Sequence, residues 1–431
     1  MAASVTGGIE KSSAADVYQR NAVSLLLFLC AAVVFILRAV VSPQMLNLAV
    51  SYSTEGGSFP EKLHIGTYAI FFLLAAILIS RPLVLKGDEV SLFKAILRFT
   101  ALILLLVPYL FVTGRAGSSG FVIDSYLVAC AAAMIMLSLN RETRTALGSV
   151  MLGMIVVSAI LGIVEAVVQQ HFLPYPFREQ EFRPIGLSAH PLALGTLCAT
   201  AIAFVALTPW RLWVKIACIL LLFAGTAASG ARAALLLAII ETLLLTTILP
   251  WRGLSRRQQR EAKFTVTLLT VIGGAALIIA FAAGGFLNRF NETIFDENFS
   301  ARVTVYQVFD FVTWQNILFG MNADDLLAIV NEKLHLPYIE STPVVLGLLF
   351  GVPLAVIFSL SFFRFLYQLL RNTTRPAWIG TITFLLAALS NNTLSSKAPE
   401  LMIVFILLMA YQVNGASDEV NVRRRGLADV A

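Results

Sequence analysis

Charge is what this sequence has least of. Only 13% of its residues are Asp, Glu, Lys or Arg, about half the share found in soluble proteins. A chain of 431 residues so poor in charge cannot clothe a water-facing surface, which excludes a large soluble enzyme and a nucleic-acid-binding module. Cysteine is scarce too. Cys30, Cys130, Cys198 and Cys218 all lie inside apolar runs, so neither an external disulfide nor a C-x-x-C metal spacing is available. No Walker A motif occurs, which excludes nucleotide hydrolysis by that route. No loop exceeds the 55 residues of 285–339, which leaves no room for a cytosolic glycosyltransferase domain. Metal-ligand constellations are missing as well, and no metal or cofactor is expected. There is no repeat of 20–50 residues and no inverted-repeat symmetry. The first 19 residues are polar and mixed in charge, which predicts a retained first helix rather than a cleaved leader.

What the sequence has instead is apolar length. Mean hydropathy is +0.83 and 58% of residues are apolar. Apolar runs of about 17–22 residues recur along the whole chain, the length that spans a bilayer. They predict an all-α polytopic membrane protein with about twelve transmembrane helices, near 21–41, 64–84, 95–113, 121–139, 148–168, 188–208, 212–229, 232–250, 264–284, 340–361, 377–391 and 397–413. Residues 1–20 and 414–431 then form cytoplasmic tails around a single transmembrane domain, 21–413. The gap Ser390–Lys397 reads as a tight external turn. With both termini in the cytoplasm, 21 of the 31 basic residues fall inside and nine outside, as the positive-inside rule requires. The net charge of +6 therefore reflects topology, and the basic run Arg252–Lys263 reads as a solvated topology determinant.

One loop is unlike the others. Residues 285–339, between spans nine and ten, are external and not of low complexity. Val303, Tyr306, Phe309 and Val312, followed by Ile317 and Leu318, mark an apolar face at helical spacing, with Arg302, Asp310 and Gln315 on the polar side. The pattern predicts an amphipathic helix at the membrane surface.

Three arginines sit at span mouths on the side where the charge rule makes arginine rare. Arg183 lies in RPIGLSAHPLALG, where Pro174, Pro176 and Pro184 prevent a helix and His190-Pro191 opens the sixth span. Arg232 lies in SGARAALL, where small residues let two helices approach closely. Arg302 starts the predicted surface helix. Taken singly, these could pair with Glu179 or Glu181, snorkel to lipid phosphates, or sit at the interface as ordinary arginines. Taken together, their guanidinium forks suit a pyrophosphate.

A proton acceptor is the remaining need. Glu340, in YIESTPVVLGLLFGVP, stands where the long loop meets span ten, and a carboxylate at such a boundary can serve as a general base. It could equally be a helix N-terminal acid favoured by the dipole. Asp324 and Asp325 in GMNADD lie upstream, and His190 lies across the suspected site. His171 and His335 read as ordinary loop residues, and His64 starts span two without an evident partner. Within the spans are Arg38, Glu165 and Glu241. Arg38 and Glu165 could pair, and Glu241 could relay protons in a transporter.

These residues carry a resemblance. RPIGLSAHPLALG resembles the arginine–glycine–proline motif that opens a span in bacterial O-antigen ligases and oligosaccharide polymerases. SGARAALL resembles their small-residue-arginine turn. The stretch from Arg302 to Gly320, with Trp314 and NILFG, is similar to their long periplasmic loop, and YIESTPVVLGLLFGVPL to the span after it. The likeness covers residues 150–365, and the first four spans match in hydropathy alone. Glu340-Ser341 stands where the ligases commonly carry a His-Asn pair, a departure that suits a polymerase of the exopolysaccharide branch.

The resemblance implies a GT-C-like, metal-independent glycosyltransferase of the bacterial inner membrane, its active site facing the periplasm. Its donor would be an oligosaccharide on undecaprenyl pyrophosphate, and its acceptor a growing polysaccharide. Membrane lipid and other exopolysaccharide assembly proteins would be its partners, with no role for nucleic acid. On this reading Arg183, Arg232 and Arg302 hold the pyrophosphate, Glu340 or His190 takes the acceptor proton, and Asp324 and Asp325 stand behind them. A glycan ligase and a secondary transporter of a polysaccharide-related anion are the other readings.

Overall fold

The computed structural model describes residues 14–53, 58–80, 82–85, 87–177, 182–248, 303–413 and scattered positions between 255 and 279. Among the described residues every regular element is helical. The first eight helices are α1 (Ala14–Val40), α2 (Ile65–Ser80), α3 (Asp88–Val112), α4 (Ala116–Ser138), α5 (Arg141–Val168), α6 (Pro191–Leu207), α7 (Leu212–Ala228) and α8 (Arg232–Ile248). After them come α9 (Trp314–Phe319), α10 (Ala323–Leu334), α11 (Thr342–Phe350), α12 (Val352–Leu370), α13 (Arg375–Leu389) and α14 (Glu400–Ala410). Among the described residues, five stretches are long and apolar enough to cross a membrane: Ala22–Val40 of α1, and α3, α4, α5 and α12. The apolar helices α2, α6, α7, α13 and α14 are shorter.

Local chemistry sets the helix ends. The Asn140 side chain accepts the Thr143 N–H at 2.8 Å and starts α5. Gln169, left-handed at φ 55°, stops it. Pro191, Pro353 and Pro376 occupy first turns, where a missing N–H costs nothing.

Packing follows the bilayer rather than water. Every residue of α14 is buried, and this helix lies against α4 and α5. A second seam has α6 at its centre, contacted by α5, α7, α8 and α13. The outer faces carry exposed Leu26, Val33, Phe72, Ile79, Leu105 and Leu360, a coat suited to lipid chains. Lipid gives no hydrophobic drive between helices, so close backbone approach at small residues carries the packing. A Cβ on Gly225 of α7, for instance, would fall 2.7 Å from the Ala159 Cβ of α5.

Several features depart from the sequence-based expectations. The apolar run 340–361 is not one helix. Gly351, at φ 86°, divides it into the nine-residue α11 and the longer α12. The turn at Ser390–Lys397 is partly packed in, with Asn392 exposed. Asn391, Thr393 and Leu394 are buried because their polar groups find partners among neighbouring elements. Val303–Val312 is not a single amphipathic helix with the expected face. A 3-10 turn at Val305–Asp310 buries Val305 and Val308, while Val303 and Tyr306 are exposed. Its tighter winding presents a different set of residues to α10, against which it packs. Most of span nine, 264–284, and residues 285–302 of the long loop lie outside the described residues, and Arg302 with them.

Candidate functional site

The loop carrying Arg183 is built on a buried carboxylate. Glu165 ends a helical face of α5, and its Oε2 accepts the N–H groups of Ile185 and Gly186, each at 2.8 Å. Its Oε1 accepts the N–H of Phe172 at 3.0 Å. The expected Arg38–Glu165 pair does not form: three main-chain amides occupy Glu165, and Arg38 turns elsewhere. Gly186 is needed where it stands. Its φ is +56°, and a Cβ there would meet the Ser158 carbonyl at 2.3 Å. Ser158 also accepts the Leu187 N–H through its hydroxyl at 3.0 Å. Phe182, just before Arg183, stacks on His171 with ring centroids 4.5 Å apart.

Arg183 itself is 9% exposed, and its Nε donates to the Ser229 carbonyl at 3.2 Å. Ser229 ends α7. Gly230, left-handed at φ 66°, turns the chain, and Arg232 opens α8 three residues beyond the Arg183 partner. Arg183 thus reaches the turn from which Arg232 starts, although 48 positions separate the two in sequence. The Ser229 hydroxyl, donating to the Thr226 carbonyl at 2.7 Å, braces that turn from below.

The other sequence candidates take varied places. His190 caps α6, its Nδ1 accepting the Leu192 N–H at 3.2 Å. Glu340 is half-buried, directly before Ser341 at the N-cap position of α11, whose side chain makes no capping bond. The Ser341 hydroxyl donates to the Tyr306 hydroxyl at 3.3 Å, and the Thr342 hydroxyl donates to the Asn391 carbonyl at 3.1 Å. The two residues after Glu340 are therefore tied to the 3-10 turn and to the 391–396 segment. Asp324 and Asp325 are exposed in the first turn of α10.

Sequence reasoning passed over a second polar centre, at Asp124. This residue lies fully buried in a π-helical turn of α4, Val122–Leu127, an irregularity frequent at functional positions. Asp124 Oδ2 accepts the Tyr52 hydroxyl at 2.7 Å, and Oδ1 accepts the Thr67 hydroxyl at 2.7 Å. The His64 N–H points at both oxygens at 3.2 Å. Arg38 Nη2 donates to the Asp124 carbonyl at 2.8 Å. Burial, reinforced by the Asp124 charge, pushes the Tyr52 phenol well above the usual tyrosine range, so it remains a donor. Lys397 spans the Tyr52 and Lys62 carbonyls at 3.0 and 2.8 Å and lies 4.4 Å from the Tyr52 ring centroid. The signal was an acid in the apolar stretch FVIDSYLVAC, the same sign that marked Glu165 and Glu241.

The two centres touch. Gln44, in the loop that Asp124 organises through Tyr52 and His64, donates from Nε2 to the Ala189 carbonyl at 3.3 Å. Ala189 belongs to the Arg183 loop. Ser125, beside Asp124, donates to the Ser396 carbonyl at 2.6 Å, and the same 391–396 segment receives Thr342. One end of the bundle therefore gathers the Arg183 loop, the Ser229–Ala231 turn, the Glu340 approach and the Asp124 centre. Compared with models of known protein families and with curated proteins, the sequence matches none.

Proposed function

We propose that this chain is a polysaccharide polymerase of the bacterial inner membrane, active on the periplasmic face in exopolysaccharide synthesis. It would have twelve spans with both termini cytoplasmic. It would transfer a glycan from undecaprenyl pyrophosphate to a sugar hydroxyl of a second lipid-linked repeat unit. What supports this most is the hydrogen bond from Arg183 to Ser229, which draws one arginine to the turn that bears another. An arginine bonded to the turn from which a second arginine starts, beside lipid-facing helices, suits the pyrophosphate of an amphipathic donor.

The chemistry follows. Arg183 and Arg232, with Arg302, hold the pyrophosphate and stabilise the charge it gains. Glu340 takes the proton of the acceptor hydroxyl. The acceptor oxygen bonds to the anomeric carbon as the carbon–oxygen bond to pyrophosphate breaks, most simply with inversion. The leaving group departs ionised and needs no proton. His190, which caps α6, is the less suited base because its Nδ1 is already an acceptor.

The deciding experiment is chain elongation by purified protein in vesicles supplied with an undecaprenyl-pyrophosphate-linked oligosaccharide. Longer lipid-linked chains, lost in Arg183→Ala, support the polymerase. Transfer only to a different acceptor would make it a ligase. A second reading, secondary transport, draws on Glu241. This residue is buried between α6, α8 and α13, with Oε1 accepting the Ala203 N–H at 2.7 Å and Thr383 of α13 as a side-chain partner. Ionisable groups so placed serve proton pathways in transporters. Substrate uptake into vesicles without glycan extension would favour it.

A further inference from the structure

Helices α5 and α7 touch where Gly225 meets Ala159, then part. Six residues earlier on α5, Gly153 has nothing within 4 Å of where its Cβ would stand. The divergence leaves an open groove of about 390 Å³. Gly153 and Val156 of α5 and Val214 and Cys218 of α7 form its walls, and Trp210 and Arg211 form its rim. The surface around it is apolar, with Val157, Leu212, Trp213, Ile216 and Leu220 all exposed. An occupant must therefore arrive through lipid. The rim is of opposite character. Arg211 is exposed at the N-cap of the 17-residue α7, whose N-terminal dipole adds positive potential. One turn along, the Lys215 ammonium donates to the Ala206 carbonyl at 2.9 Å, adding a second positive charge. Trp210 and Trp213 mark the level at which indoles settle in a membrane interface.

We propose that this groove is a binding site for one anionic bilayer phospholipid, with an acyl chain between α5 and α7 and the phosphate at Arg211. The apolar walls recognise the chain, and the rim charge selects an acidic over a zwitterionic headgroup. The site is separate from the arginine loop and does not depend on the polymerase reading.

The test uses the full chain with Trp210 as its single tryptophan, the other four replaced by phenylalanine. It is reconstituted in phosphatidylcholine nanodiscs doped with brominated phosphatidylglycerol or with brominated phosphatidylcholine. Trp210 should be quenched more strongly by the brominated phosphatidylglycerol. Gly153→Leu places a side chain in open space and fills the groove, so the excess quenching should vanish. Arg211→Gln should reduce the preference about fivefold, since a basic residue at an acidic membrane surface is worth about 1 kcal/mol. Should Gly153→Leu fold poorly, the exposed Arg211→Gln variant decides alone. Equal quenching by the two lipids, or a preference that Arg211→Gln leaves unchanged, would overturn the proposal.

Discussion

The Glu165 carboxylate and the Gly186 amide meet at 2.8 Å, and that contact fixes how Arg183 is presented. Glu165 ties down the residues on either side of the loop, Phe172 before it and Ile185 and Gly186 after Arg183. A carboxylate that spends its acceptors on main-chain amides is a structural device, and here it holds the loop that carries Arg183.

Glu165→Gln tests that dependence. The amide keeps one acceptor oxygen but turns an NH2 group toward N–H donors. Each buried donor left unpaired costs about 1–3 kcal/mol. Thermal unfolding in detergent should show a loss of that order with helix content unchanged. Glycan elongation should fall with it, because Arg183 loses its orientation. A variant with normal melting and normal elongation would show that the loop holds itself.

The arginines come next. If Arg183 stabilises developing pyrophosphate charge, Arg183→Ala should lower elongation by about 10²–10³, the usual effect of removing one such group. Arg232→Lys keeps the charge and loses the bidentate fork, so its rate should fall between those of wild type and Arg232→Ala. Full polymer production by an Arg183→Ala, Arg232→Ala double variant, at normal membrane levels of protein, would remove the pyrophosphate role from both.

The reach of sequence reasoning differed with the kind of feature. Apolar run length identified a helical membrane protein because the bilayer imposes that length on each helix separately. The prolines around Arg183 and the small residues before Arg232 marked each as lying in a turn, but the contact between Arg183 and Ser229 joins segments that no local pattern connects. The Asp124 centre was not foreshadowed. Its donors come from Tyr52, His64 and Thr67, which periodicity within any one segment cannot bring together. The break at Gly351 was hidden for a related reason: FGVP is apolar enough to continue a span, and only the backbone φ reveals the turn. The Val305–Asp310 face was misread because an α-helical period was applied to a 3-10 segment.

Asp124 supports the most severe stability prediction. Asp124→Ala would strand the Tyr52 hydroxyl, the Thr67 hydroxyl and the His64 N–H in a buried site, with Arg38 and Lys397 nearby. Removing one partner from a buried charged network typically costs about 3–5 kcal/mol. Tyr52→Phe removes a single donor and should cost about 1–2 kcal/mol. Thermal unfolding of the two purified variants should rank them in that order. Equal melting temperatures would mean that the loop before α2 is held by its other contacts, Lys397 foremost.

Glu340 is the residue on which the proposed chemistry turns. It directly precedes the N-cap position of α11, and that place allows two roles. A general base must accept a proton, so Glu340→Gln should reduce elongation by about 10²–10⁴ while leaving binding of the lipid-linked donor intact. An acid that merely complements the α11 dipole should cost about 0.3–1 kcal/mol of stability and little turnover. Chain elongation and donor binding measured on the same purified Glu340→Gln preparation separate the two. Near-normal elongation would exclude Glu340 as the base and turn attention to Asp324 and Asp325. Both are exposed in the first turn of α10, so they could reach a substrate only if it approached from the side of the long loop. The case for the arginines would be unaffected, since it rests on the Arg183–Ser229 contact.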